Sequence, residues 1–564
     1  MRLPPPMPAV LAVVITITTP AGCLSDPPTV SDYHQRVDHT VARLGDFIYV
    51  DGGAVEQRST STLAPGLVPE NVTFSIPLRS AWTNLSVQLG TVTKAGAPKL
   101  LDESLWIDDK KQSLYAWSDL SQATDGIYND TRLWRLTADG AGGGFWQPQD
   151  SVDAQDMLSL QRTAGAGSTT CYNTGFHLGG SAADPDKPMD SPLLVPGLTT
   201  YNITSNKWAN ISATAFTPRG TFFNGEAVCL PTFGPSGLVI FLGGLTSFGD
   251  NWQSTGDSLS HSAGNGFDNL TFYDPFAERW YSQIATGSRP TPRSLFCAAG
   301  VQGPNNTFEI YLYGGFEIGT LKQVGDLYVL SLPGFVWFKS NLTTAPVRAR
   351  HKCVASGDSQ MISIGGWVDP VPDVWPQGLG VFDLPSLSLK SSYDPESGVY
   401  DSPQAVKEWY SKGGLDLVQW SSEAVKSLFI TSKSSSSSLP LSQSSSLPTS
   451  SSSSLSLPQS SDTSPNSNSI SSDPILVPGA IAGIVVGGVA VLAVLSGWAW
   501  VAWKRREARK FTGTPDESLV EPDHYKVPEI LVEIEQPQYP VEMTGTELCF
   551  ELEAYSLQRD KQSY

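Results

Sequence analysis

A short apolar run that closes on two glycines recurs along the chain, ending at Gly52-Gly53, Gly179-Gly180, Gly243-Gly244, Gly314-Gly315 and Gly365-Gly366. A degenerate copy, Ser113 to Ser118, has lost its glycines. An apolar strand and then a tryptophan follow. The spacing is 30 residues from Gly52 to Trp82, 29 from Trp117 to Trp146, 29 from Gly179 to Trp208, 37 from Gly243 to Trp280 and 23 from Gly314 to Trp337. The sixth copy lacks the Trp, and Tyr393 is expected in its place. Glycine pairs suit the end of a strand, where the chain turns through backbone angles that a Cβ disfavours. The next strand reads Thr73–Ile76, Leu133–Leu136, Leu198–Tyr201, Leu270–Tyr273, Leu327–Leu330 and Gly380–Asp383.

Each unit is therefore a four-stranded antiparallel sheet that cannot bury its own faces. Radial stacking solves that problem, and six units predict an all-β, six-bladed β-propeller. The 51 glycines, 42 prolines and 16 tryptophans fit short strands and turns rather than helix bundles. A net charge of −19 argues against nucleic acid as a partner, because phosphate binding needs a basic surface.

Outside the repeats the chain changes character. Residues 1–23 read as a signal peptide: Arg2, a short apolar stretch from Ala9 to Ile17, then small residues to Cys23. Residues 24–431 form the propeller ectodomain, closing with a short helix begun by Ser402-Pro403-Gln404 and stopped at Gly413. Residues 432–474 are a Ser-rich stalk that cannot bury a core, read as an O-glycosylated spacer. Residues 475–503 carry no charge and are long enough to cross a bilayer once. Trp498, Trp500 and Trp503 mark an interface, and Lys504-Arg505-Arg506 places residues 504–564 in the cytoplasm. This single span makes a type I protein of the plasma membrane or cell surface. The tail holds 8 Lys/Arg against 13 Asp/Glu and reads as disordered. Gly479, Gly483 and Gly487 form a small-residue stripe in the span that would permit a dimer. N-glycosylation sequons at Asn71, Asn84, Asn129, Asn202, Asn210, Asn269, Asn305 and Asn341 all precede the span.

The repeats resemble kelch repeats. The stretches Arg36 to His39, Phe272 to Pro275 with Trp280, Arg293 to Cys297, Leu330 to Phe335, Gln377 to Asp383 and Trp409-Tyr410 with Gly413-Gly414 resemble fungal kelch-repeat surface proteins, single-pass membrane proteins with a Ser-rich stalk. The resemblance implies architecture more than activity. Galactose oxidase, a kelch-type propeller, uses copper held by two His and two Tyr, with one Tyr cross-linked to a Cys. The five ectodomain histidines, His34, His39, His177, His261 and His351, form no matching pair, and Cys171-Tyr172 with His177 is the nearest approach.

Cys171, Cys229, Cys297 and Cys353 fall on or near the innermost strands of four consecutive blades. They suggest either two disulfides, in one of three pairings, or buried thiols if adjacent blades hold them too far apart. No Cys-x-x-Cys spacing marks a metal site. Arg36, His39, Arg293, Arg350 and His351 hold repeat positions at the entry to innermost strands. They are the candidate ligand-binding set, as a ring of arginines lining the channel mouth; the alternative is bonding between neighbouring blades. The sequence points to no catalytic residue, metal or cofactor. The expected function is binding or sensing of a cell-wall glycan or protein through propeller loops, with 53–70, 181–196 and 245–266 the longest inserts. The alternatives are a copper carbohydrate oxidase and a glycosylated structural wall protein without a ligand.

Overall fold

Every glycine-terminated run belongs to the second strand of an antiparallel sheet of four main strands in the computed structural model; short Val68–Pro69 adds to the sheet of blade 1, and Thr286–Gly287 pairs in parallel with the last strand of blade 5. The model describes residues 29–430, apart from 59–66, 118–131, 151–156, 158–159, 183–192, 218, 248–261, 321, 357–358 and 369–371. Blade 1 comprises Tyr33–Leu44, Phe47–Gln57, Val72–Pro77 and Gly90–Thr93. Blade 2 comprises Ser104–Asp108, Ser113–Trp117, Leu133–Ala138 and Gly144–Gln149. Blade 3 comprises Gly167–Cys171, Thr174–Leu178, Leu198–Asn202 and Lys207–Ile211. Blade 4 comprises Glu226–Leu230, Leu238–Leu242, Asn269–Asp274 and Arg279–Ile284. Blade 5 comprises Cys297–Gln302, Phe308–Tyr313, Leu327–Leu332 and Val336–Lys339. Blade 6 comprises Lys352–Ser356, Gln360–Ile364, Leu379–Asp383 and Ser388–Lys390. The fold is an all-β, six-bladed propeller with few helices.

The first strand of each blade is innermost and lies beside those of its neighbours, and blade 6 returns to blade 1. No sheet mixes strands of the first and last blades. The circle is therefore closed by contact between blades rather than by a shared strand.

Two residue types do most of the joining, in opposite directions. The second glycine of each pair donates its N–H to a carbonyl of the following blade. These bonds are Gly53 to Leu100 (2.9 Å), Gly180 to Phe222 (2.6 Å), Gly244 to Arg293 (2.9 Å), Gly315 to Arg348 (2.9 Å) and Gly366 to Arg36 (2.6 Å). At the last of these, Gly365 and Gly366 have φ of 62° and 117°. A Cβ on Gly365 would also sit 2.8 Å from Arg36 O and 2.6 Å from the His39 ring. Both the backbone angle and the close approach thus exclude a side chain.

The tryptophans reach back to the preceding blade. Trp146 Nε1 donates to Thr73 Oγ1 (2.9 Å) and Trp337 Nε1 to Phe267 O (3.1 Å). Trp208 packs on Trp117 and Trp106 of blade 2, with ring centroids 5.2 and 5.8 Å away. The sixth copy differs from the sequence expectation. Leu389, paired with Phe382, holds the register place that Trp208 holds opposite Tyr201. Tyr393 lies past the last strand and instead stacks on Trp82 of blade 1 at 5.1 Å, joined to it by backbone bonds in both directions.

Beyond blade 6 the helix Gln404–Ser411 begins one residue later than expected, with Pro403 rather than Ser402 at the cap, and Gly413 ends it in the left-handed region. A second helix, Glu423–Phe429, is capped by Ser422 Oγ, which accepts from Val425 N–H. Tyr410 bonds Gly334 N–H, and Phe429 packs among Phe233, Phe272, Phe335 and Trp420. Gly234 and Gly334 lie in hairpins between first and second or third and fourth strands. The strap therefore runs beneath blades 5 and 4, on the face opposite the connections between second and third strands.

Residue contacts divide the chain into Met1–Pro440 and Leu441–Tyr564. The signal peptide, stalk, span with its glycine stripe, and tail read from the sequence lie outside the described residues, as do Asn129 and His261. Among the described residues no helix is long and apolar enough to cross a membrane.

We expect Trp208→Ala to lower stability by about 3–5 kcal/mol, the usual cost of truncating a buried aromatic. Gly366→Ala should cost about 1–3 kcal/mol through its backbone angle alone. Chemical denaturation of each variant checks both, and an unchanged midpoint for either contradicts the blade-joining roles assigned here.

Candidate functional site: the channel mouth

Each innermost strand is entered through a residue with positive φ: Asp38 (56°), Asp102 (48°), Gly165 (68°), Asn224 (55°), Leu295 (56°) and Arg350 (58°). Asp and Asn tolerate this conformation better than most residues, and Leu295 and Arg350 adopt it against preference. The reason is a circular set of bonds. The N–H of each donates to the carbonyl of its equivalent in the preceding blade: Asp102 to Asp38 (2.8 Å), Gly165 to Asp102 (3.1 Å), Asn224 to Gly165 (2.7 Å), Leu295 to Asn224 (2.8 Å) and Arg350 to Leu295 (2.8 Å). At the sixth junction side chains make the link. The Arg350 guanidinium donates through Nε and Nη2 to both oxygens of Asp38. A bidentate pair of this kind is directional as well as charged.

Just inside this girdle Lys352 Nζ lies 2.8 Å from Glu226 Oε1, linking blade 6 to blade 4. The mouth thus holds two cations, each paired with one acid, and a further acid, Asp102. Burial, then the nearby Asp38 carboxylate, raise the Asp102 pKa to about 7, while Arg350 and Lys352 oppose the shift.

The arginines of the candidate set occupy two different places. Arg36 and Arg293 precede the girdle by two residues, and their equivalent in blade 6 is Arg348, not Arg350. Each of these three reaches a carboxylate in its own blade's connection between second and third strands. Arg36 Nη2 lies 3.3 Å from Glu70, Arg293 Nη1 is 2.6 Å from Asp326, and Arg348 spans both oxygens of Asp373 at 2.8 and 3.1 Å. Arg348 also stacks 3.9 Å from the Trp375 ring centre. These guanidiniums are buried and hold connections in place. Of the arginines in the candidate set only Arg350 faces the mouth.

His39 and His351 follow the girdle and are buried, His39 with Nε2 3.0 Å from Ile364 O of blade 6. Burial holds both imidazoles well below their usual pKa, and neighbouring Arg36 and Arg348 respectively add to the effect. His177 is clamped by Ser104 Oγ and Thr163 Oγ1, each at 2.6 Å, and burial lowers it to about 3. His34 lies 3.7 Å from Glu56.

The four cysteines among the described residues form two disulfides, Cys171–Cys229 between blades 3 and 4 and Cys297–Cys353 between blades 5 and 6. Adjacent inner strands approach to Cα separations of 5.2 and 5.3 Å, so equivalent strands are close enough to bond. Cys171 is therefore already bonded and not free for the tyrosine cross-link of a copper oxidase. Of the sequons, Asn210, Asn269, Asn305 and Asn341 are exposed, and Asn71, Asn84 and Asn202 are half-buried. The Asn84 amide donates to Leu379 O at 3.3 Å.

Glycine pairs binding forward and tryptophans packing backward in six sheets are the structural content of the repeat. The chain has a kelch-repeat homologue. It is the "Kelch repeat-containing protein" of Arthroderma benhamiae, 25% identical over 434 residues, which cover 68% of this chain and 61% of the relative. The chain therefore matches less than two thirds of that relative's length. No protein-family model matches the chain.

Arg350 was expected to hold the repeat position of Arg36 and Arg293, but Arg348 holds it, and Arg350 lies two residues further on at the girdle. Asp38, Asp102, Glu226 and Lys352 were missed for want of any local motif. The detectable signal is a turn-prone residue at the entry to the innermost strand in four blades: Asp38, Asp102, Gly165 and Asn224.

Two outcomes follow for the mouth. Asp38→Arg should cost about 1–3 kcal/mol, and the exchange Asp38→Arg with Arg350→Asp should recover most of it, as measured by a double-mutant cycle. Asp102 has a folded pKa above its unfolded value. Its charge is thus a cost above pH 7 that is relieved as pH falls toward 4. Asp102→Asn, which keeps the left-handed preference, should raise stability at pH 8 relative to pH 4 by on the order of 1 kcal/mol. Denaturation midpoints at the two pH values check the sign.

Proposed function

We propose that this chain is a non-catalytic binding protein of the cell surface, whose propeller recognises a wall glycan or protein partner through the connections between second and third strands. The observation that carries this reading is where the polypeptide leaves the ring. Gly234 N–H donates to Leu428 O at 3.0 Å, so the exit at Ile430 is fixed to the hairpin face. The inserts 53–70, 181–196 and 245–266 all join second to third strands and belong to the opposite face. A tether following residue 430 would thus present the inserts outward, and connections carried on a rigid ring are the usual place for recognition.

Three features support the reading further. Kelch-repeat propellers are interaction modules, and the similar relative carries that repeat. The cationic groups at the mouth are engaged with the ring's own carboxylates, as structural rather than catalytic groups are. The signal peptide, the Ser-rich stalk, the apolar span of residues 475–503 and the sequons are consistent with display outside the cell, with the glycine stripe of the span available for a dimer.

The test uses full-length chain against immobilised β-glucan and chitin oligosaccharides, and proximity labelling of surface proteins around the displayed chain. We expect one of these probes to give a specific signal that is lost when 58–67, within the first insert, or 248–261, within the third, is replaced by a short Gly-Ser linker. It should survive Phe276→Ser on the hairpin face, where Phe276 is 68% exposed. A signal lost with Phe276→Ser and kept in the loop replacements would overturn the assignment of faces. No specific signal with any probe would leave the structural, ligand-free wall protein as the better reading.

A further inference from the structure

The junction between blades 5 and 6 brings three metal-ligating side chains together. One ligand atom each of Cys297, Cys353 and His351 lies within 4.8 Å of the other two. Among the described residues no other such trio of His, Cys, Asp or Glu occurs. All three are well inside the ring: Cys297 and His351 are 0% and 1% exposed and Cys353 is 9%. The His351 imidazole bonds the Tyr313 backbone, as His39 bonds that of Ile364, which leaves its other ring nitrogen without a partner.

The packing role alone explains the place of His351 but not its company. His39 holds the same position one junction on, against Gly365 as His351 lies against Gly314. Each also meets backbone of a neighbouring second strand, His39 at Ile364 and His351 at Tyr313, yet His39 has no cysteine pair beside it. The second disulfide, Cys171–Cys229, belongs to no such trio either. Among the described residues the coincidence of two sulfurs and an imidazole is thus confined to one junction.

We propose that Cys297, Cys353 and His351 form a latent site for a soft divalent ion such as Zn²⁺, closed while the disulfide is intact and opened by reduction. The step balances with a small-molecule thiol as reductant. Two RSH deliver two electrons and two protons to the S–S bond, leaving RSSR and two cysteine thiols. Ion binding then releases those two protons, since thiolates are the ligands. The donor set of two sulfurs and one imidazole selects Zn²⁺ over hard cations such as Mg²⁺ or Ca²⁺. With inner-strand Cα atoms 5.3 Å apart, the sulfurs can part by side-chain rotation while the strands keep their places. The ion then takes over the cross-link between blades 5 and 6 that the disulfide supplied. This inference does not depend on the proposed binding function.

The test uses full-length chain carrying Cys23→Ser, Cys171→Ser, Cys229→Ser and Cys549→Ser, reduced with a phosphine that does not itself hold the metal, and titrated with Co²⁺. We expect one equivalent to bind with a thiolate-to-cobalt charge-transfer band in the near ultraviolet, displaced by Zn²⁺. The disulfide-intact chain should show no such band. Cys353→Ser should abolish the band, and His351→Asn should weaken binding at least tenfold while near-ultraviolet circular dichroism verifies that the ring is folded. Absence of the band in reduced, folded protein overturns the proposal. So does unchanged affinity in the folded His351→Asn chain, which would reduce the site to two thiols. Should His351→Asn not fold, His351→Gln and the Zn²⁺-dependent rise in melting temperature of the reduced parent, expected at several degrees, decide the same point.

Discussion

One backbone hydrogen bond carries the architecture: the N–H of the second glycine in each pair, given to a carbonyl of the next blade. A sheet of four short strands has two apolar faces and no means of covering either alone. The forward-reaching glycine sets the distance between neighbours, and the backward-reaching tryptophan fills the space between them. Any Cβ at the pair would push the blades apart and demand a backbone angle that side chains resist. The same constraint explains why the glycines recur while the loops between them vary in length.

The circle has a beginning and an end, and its closure is the most elaborate junction. Blade 6 meets blade 1 through the Gly366–Arg36 bond, the His39–Ile364 contact, the two-way backbone pairing of Trp82 and Tyr393, and the Arg350–Asp38 ion pair. Disulfides staple blades 3 to 4 and 5 to 6, not this junction. Non-covalent bonds therefore hold the first and last blades together, and charge supplies at the channel mouth what a backbone bond supplies at the other five girdle positions. That use of charge explains why the mouth is crowded with ionisable groups without being built as a reaction centre.

The repeat made most of the fold legible in advance, because glycine and tryptophan are each demanded by geometry. All six third strands expected from the sequence fall inside those observed. What could not be read were pairings across blades. The partner of Arg350 is Asp38, separated from it by nearly the whole ring, and Glu226 meets Lys352 two blades away. Nothing local marks such partners. Blade 6 was misjudged at Tyr393 because aromatic character was taken as the signal, whereas Leu389 fills the register place and Tyr393 serves the seam. The pairing of the cysteines stayed open because sequence spacing says nothing of how closely inner strands approach.

The account stands on blade 6 closing against blade 1, and the pseudo-symmetry of the girdle offers a direct test. Cys171 lies six residues after Gly165 and Cys229 five after Asn224; the same offsets from Arg350 and Asp38 are Ser356 and Arg43. A chain with Arg43→Cys and Ser356→Cys should form a third inter-blade disulfide, found as a linked peptide in mass spectrometry of the non-reduced protein. Two free, alkylatable thiols at positions 43 and 356 in a folded chain would contradict the closed ring.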